Sequence, residues 1–83
     1  MQNIILKHKE DTGKTYRKMT EEINEILTEL GEKPTLLKRS LIGYANGQNI
    51  PERAEITAGI AEYLNTTSAL LLKNLKECKK WKT

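Results

Sequence analysis

The chain has 83 residues, 37% apolar and 30% charged, with a net charge of +3, a size and balance that suit one small folded domain with a single core. Its longest apolar run, Ala69 to Leu72, is too short to span a bilayer, and Ile4-Ile5-Leu6 is too short for a signal-peptide core, so a cytoplasmic protein without a membrane partner is expected. The single cysteine, Cys78, and the single histidine, His8, exclude an internal disulfide, a cysteine-based zinc cage and a histidine cluster, so neither a cofactor nor an enzymatic activity is expected.

Helical spacing dominates and strand signals are nearly absent. A first short helix is predicted over about Asn3 to Asp11, stopped by Gly13. Thr15 is suited to cap the next start. Met19, Ile23, Ile26, Leu27 and Leu30 then form one apolar stripe, with Glu21, Glu25, Glu29 and Glu32 on a wet face and Gly31 at the stop. Whether Tyr16 to Leu30 is one helix or two stays open. Pro34 suits the first turn of a third helix, 34–46, with Leu37, Leu41 and Tyr44 as its buried stripe. Asn46-Gly47-Gln48-Asn49 is a turn cluster. Pro51 opens a fourth helix, with Asn49 and Glu52 at capping-box spacing and Ile56, Ile60, Tyr63 and Leu64 facing inward. Asn65-Thr66-Thr67 separates it from a fifth helix carrying Leu71, Leu72, Leu75 and Cys78. The expected fold is an all-α, compact bundle of about five short helices in one domain, 1–83, with a basic C-terminal tail from about residue 73.

Charge is unevenly placed. Residues 20–32 hold five glutamates and no base, whereas residues 33–50 hold Lys33, Lys38 and Arg39 and no acid. The outward side of the third helix is expected to show Thr35, Lys38, Arg39, Ser40 and Gly43. Arg and Lys can donate to guanine O6 and N7, and Ser and Thr can bond base edges or phosphates. The turn behind it offers Asn46, Gln48 and Asn49 to phosphate oxygens.

The order of these pieces carries a resemblance. Gly13-Lys14-Thr15-Tyr16-Arg17-Lys18-Met19-Thr20-Glu21-Glu22-Ile23, then Ser40 to Pro51, then Ile60-Ala61-Glu62-Tyr63-Leu64-Asn65, and then Thr66 to Leu71, follow one another as in the lambda-repressor-like (XRE-type) helix-turn-helix family. The segment between Glu22 and Leu37 is longer than the family's usual one. The run Leu37-Lys38-Arg39-Ser40-Leu41-Ile42-Gly43-Tyr44-Ala45-Asn46 resembles phage repressors that are lengthened there. Ala45 and Met19-Thr20 depart from the family's usual Glu and Leu-Ala.

The resemblance implies a sequence-specific transcriptional regulator, a repressor of phage or mobile-element type, whose partner is double-stranded DNA. By position, Lys38, Arg39 and Ser40 would face bases, and Tyr16 and Arg17 would lie in the first turn of helix two, near backbone or outer bases. Gln48 and Asn49 would grip phosphate, and Thr35 would lie near the recognition-helix start. Tyr44 is expected in the core, with its hydroxyl able to reach a phosphate at the rim. Regulators of this size usually pair on two half-sites, so a homodimer is an expected partner. The alternative is a protein-binding antirepressor, or repressor modulator, that keeps the helix-turn-helix frame and docks a regulatory protein on its acidic face. His8 is expected on the solvent side or at a helix end, and Cys78 as a small core residue.

Overall fold

A computed structural model describes residues 2–78. The order of elements is α1 (Ile4–Thr12), α2 (Tyr16–Glu29), α3 (Lys38–Ala45), α4 (Ala54–Tyr63) and α5 (Ser68–Cys78). There is no strand among the described residues. Lys73 and Lys76 of the expected basic tail lie on α5, and Lys79, Lys80, Trp81 and Lys82 lie outside the described residues.

Each helix starts and stops for a local reason. Asn3 caps α1, its Oδ1 accepting from the Ile5 and Leu6 amides at 2.9 and 3.2 Å. Thr15 caps α2 by accepting from the Lys18 amide at 3.1 Å, as expected. α2 is one continuous helix, which settles the question left open by its sequence. It ends in a Schellman turn: Gly31 has φ 82°, and the Glu32 and Gly31 amides reach back to the Leu27 and Thr28 carbonyls. The same turn closes α4 through Asn65 at φ 57°. Thr67 then caps α5, accepting from the Leu70 amide at 3.2 Å.

α2 is the spine. Met19, Ile23 and Leu27 are fully covered and packed chiefly against α4, with α3 on a second side. Gly59 makes the α2–α4 approach close, since a β-carbon there would stand 2.5 Å from Leu27 Cδ2. Leu41 of α3, Ile60 of α4 and Leu71 and Leu75 of α5 complete the centre with Ile5 of α1. α5 returns to the chain start, where the Asn74 side chain accepts from the Ile4 amide at 2.9 Å and donates to the Gln2 carbonyl at 3.1 Å.

Several sequence expectations are corrected. α3 begins at Lys38, not at Pro34. The Asn24 amide grips Leu36 at both backbone groups, accepting from its N–H and donating to its C=O, each at 3.0 Å. Leu36 is thereby buried in an extended segment, and a tight turn from Lys33 to Thr35 spans Pro34. Leu37, expected inside, becomes the apolar N-cap residue of α3 and is 50% exposed. Leu30, expected in the α2 stripe, is 52% exposed, because it is the C-cap residue where the chain turns away through Gly31.

α4 begins at Ala54 and has no side-chain N-cap. The Asn49–Glu52 capping box does not form, because the Asn49 amide is held over Gly43 instead. Gly43, expected to face outward, is buried beneath that amide.

Candidate nucleic-acid interface

α3 is eight residues long and so about 12 Å in length. Leu41 and Ala45 fix its inward side. Lys38, Arg39 and Asn46 are all exposed, with the half-buried Ile42 beside them. α3 contains no acid. Among the described residues, neither Lys38 nor Arg39 forms an ion pair, so both charges are free to meet an incoming anion.

Beside this face, the start of α2 and the second half of α1 form a shallow concavity with α3. It is lined by Lys9, Thr15, Tyr16, Arg17, Lys38 and Ile42. Gly13 lets α1 reverse into α2, which brings Lys9 over the Tyr16 ring, with its ammonium 5.0 Å from the ring centre. Arg17 pairs with Glu21 at 3.5 Å, and both side chains are well exposed. Such a pair is worth little in water and would exchange readily for a phosphate.

Of the ten residues singled out from the sequence, Tyr16, Arg17 and Lys38 meet in this concavity, and Arg39 and Asn46 share the outward side of α3. Thr35 is exposed on the extended connection, off the helix, and Gln48 is exposed in the turn after α3.

Ser40, Tyr44 and Asn49 face a different flank. They line a groove with Ile50, Glu52, Arg53 and Ile56. Burial raises the pKa of the Tyr44 phenol, the Glu52 charge adds to this, and a hydrogen bond from Ser40 partly offsets it. Arg53 is paired there with Glu55 at 2.6 Å. That flank is close to charge-balanced and differs in character from the cationic side.

Sequence reasoning missed Lys9 and Ile42. Ile42 is one turn beyond Lys38 and could have been placed on the same side by the helical repeat. Lys9 comes into the concavity only through the α1–α2 reversal.

A second cluster joins α1, α2 and α4 and serves the fold. Glu22 accepts from the Tyr63 hydroxyl at 2.5 Å and from the Lys14 ammonium at 2.9 Å. These two bonds, the Tyr63 one first, hold the Glu22 carboxyl below the usual carboxylate range. Burial, then the Glu22 bond and charge, push the Tyr63 phenol well above its usual range. His8 packs edge-on against Tyr63 at 4.9 Å. Its Nε2 is buried and, among the described residues, has no hydrogen-bond partner. The expectation of a solvent-side His8 is thus corrected: the reversal at Gly13 turns it toward α4.

No helix among the described residues is long and apolar enough to cross a membrane. No protein-family model, curated protein or solved structure matches this chain.

Proposed function

We propose that this chain is a sequence-specific DNA-binding transcriptional regulator that places the outward side of α3 in the major groove of double-stranded DNA. One observation carries the reading: Lys38 and Arg39 stand free on an acid-free helix face, beside a concavity that adds Lys9 and Arg17. An α-helix, about 10–12 Å across with its side chains, suits a major groove about 12 Å wide. Arg39 and Lys38 would donate to guanine edges, while Arg17 and Lys9 at the rim would neutralise phosphates. The glutamates Glu25, Glu29 and Glu32 are exposed elsewhere on α2 and beyond it, and they would repel DNA from the wrong side. Regulation would work by occupancy of a promoter, with two copies on adjacent half-sites.

The connection of residues 30–37 between α2 and α3 is longer than the turn of three or four residues in a simple helix-turn-helix. The recognition role proposed for α3 therefore rests on its charge and exposure.

A second reading, a protein-docking regulator, draws on Leu30 and Leu37, both about half exposed at the two ends of that connection. The two readings separate on one variant pair. With duplexes enriched from a random-sequence pool as the probe, Arg39→Ala should lose at least about fivefold in affinity for the selected site, since a good bidentate base contact is worth about 1–3 kcal/mol. Glu25→Ala should bind as the parent does or slightly tighter. Equal binding by Arg39→Ala and the parent would remove α3 from the interface.

A further inference from the structure

Ile42 is the apolar exception on the cationic side. It is half-buried, and the side chains that line the concavity with it are Lys9, Thr15, Tyr16, Arg17 and Lys38. The partly buried apolar residues packed against the core include Tyr16 and Tyr44, whereas Ile42 is not among them. Its partly exposed side chain lines the concavity. It is also β-branched, so its rotamer is largely fixed before any partner arrives, and little side-chain entropy is lost on contact.

The major groove presents one apolar group along its floor, the C5-methyl of thymine, and apolar side chains read it by contact. We infer that Ile42 is a specificity-determining residue that selects thymine, by its methyl group, within about two base pairs of the base read by Lys38. This rests on the DNA-binding reading proposed above. The spacing follows from the helix. Ile42 is four residues beyond Lys38, about 6 Å along the axis, or about two base steps. The recognised half-site should therefore hold a thymine within about two base pairs of the base contacted by Lys38.

The test uses the full chain and duplexes carrying the sequence enriched from a random pool. Each thymine is replaced singly by deoxyuridine, which removes only the methyl. Burying one methyl is worth about fourfold in affinity. The parent should lose about fourfold at one thymine per half-site and nothing at the others. In Ile42→Ala the same replacement should cost nothing, while the salt dependence of binding stays that of the parent.

Sequence-dependent binding with no thymine sensitive to loss of its methyl would overturn the inference and leave the DNA-binding reading standing. The same holds if Ile42→Ala keeps the full sensitivity. Absence of any sequence-dependent duplex binding would overturn both. The deoxyuridine series on the parent decides the matter alone if Ile42→Ala does not fold.

Discussion

Glu22 stands where α1, α2 and α4 meet, bonded to Tyr63 and Lys14. Its pKa is lowered from the ordinary 4.5. A carboxyl depressed in the folded state stabilises above its unfolded pKa and loses that contribution as pH falls through the folded value. Glu22→Gln should therefore be less stable than the parent at pH 7, with the gap closing as the pH falls below about 4.5. Urea midpoints measured between neutral and strongly acid pH check this. A gap that stays constant with pH would show that the carboxylate's charge is not what holds the cluster.

His8, beside it, carries a buried Nε2 with no partner among the described residues. Leaving such a group unsatisfied costs about 1–3 kcal/mol. His8→Phe retains an edge-on ring against Tyr63 and removes the orphaned nitrogen. The expected outcome is a melting temperature equal to or above the parent's, and a clear fall would contradict it. Neither side chain's role could be read from spacing. Glu22 reads as one of a run of surface acids, and Tyr63 reaches it across 41 residues of sequence.

The helices themselves were the most legible elements. Apolar spacing and small capping residues located α1, α2 and α5 closely, because Thr15, Gly31 and Thr67 act locally. α3 and α4 begin later than their prolines suggest, for a reason that is not local. Asn24, inside the acidic block of α2, captures the backbone of Leu36 and holds the preceding residues extended. Asn49 is taken up over Gly43 and cannot cap α4. Sequence offers Asn46, Gln48 and Asn49 as turn formers or phosphate ligands and gives no sign that Asn3, Asn24 and Asn74 act as clamps between elements.

The clamp at Asn24 sets where α3 starts, so it belongs to the candidate interface as much as to the fold. Asn24→Ala leaves the Leu36 N–H and C=O without their partner. It should destabilise the chain by about 1–3 kcal/mol, increase hydrogen exchange at the Leu36 amide and weaken duplex binding without removing any contact to it. Unchanged exchange at Leu36 would show that the connection is held by the burial of its side chain alone.

Across the molecule, α1 to α5 close on one core, and α5 ties back to the start of α1. The closure leaves cations on one side of α3 and a balanced, partly acidic groove on the other. The unevenness of charge along the chain was plain in the sequence, but its division into two flanks was not. It depends on Ser40 and Tyr44 pointing away from Lys38 and on α1 delivering Lys9.

The salt dependence of duplex binding reads out this sidedness. If Lys9 and Arg17 each neutralise one phosphate while Lys38 and Arg39 read bases, affinity for a selected duplex should fall about tenfold per protein chain between about 50 and 200 mM salt. A steep loss of that order, tracked by fluorescence anisotropy, is the predicted result. Duplex affinity that is unchanged across this range, or no binding at the lower salt, would contradict the cationic face as a DNA-binding surface.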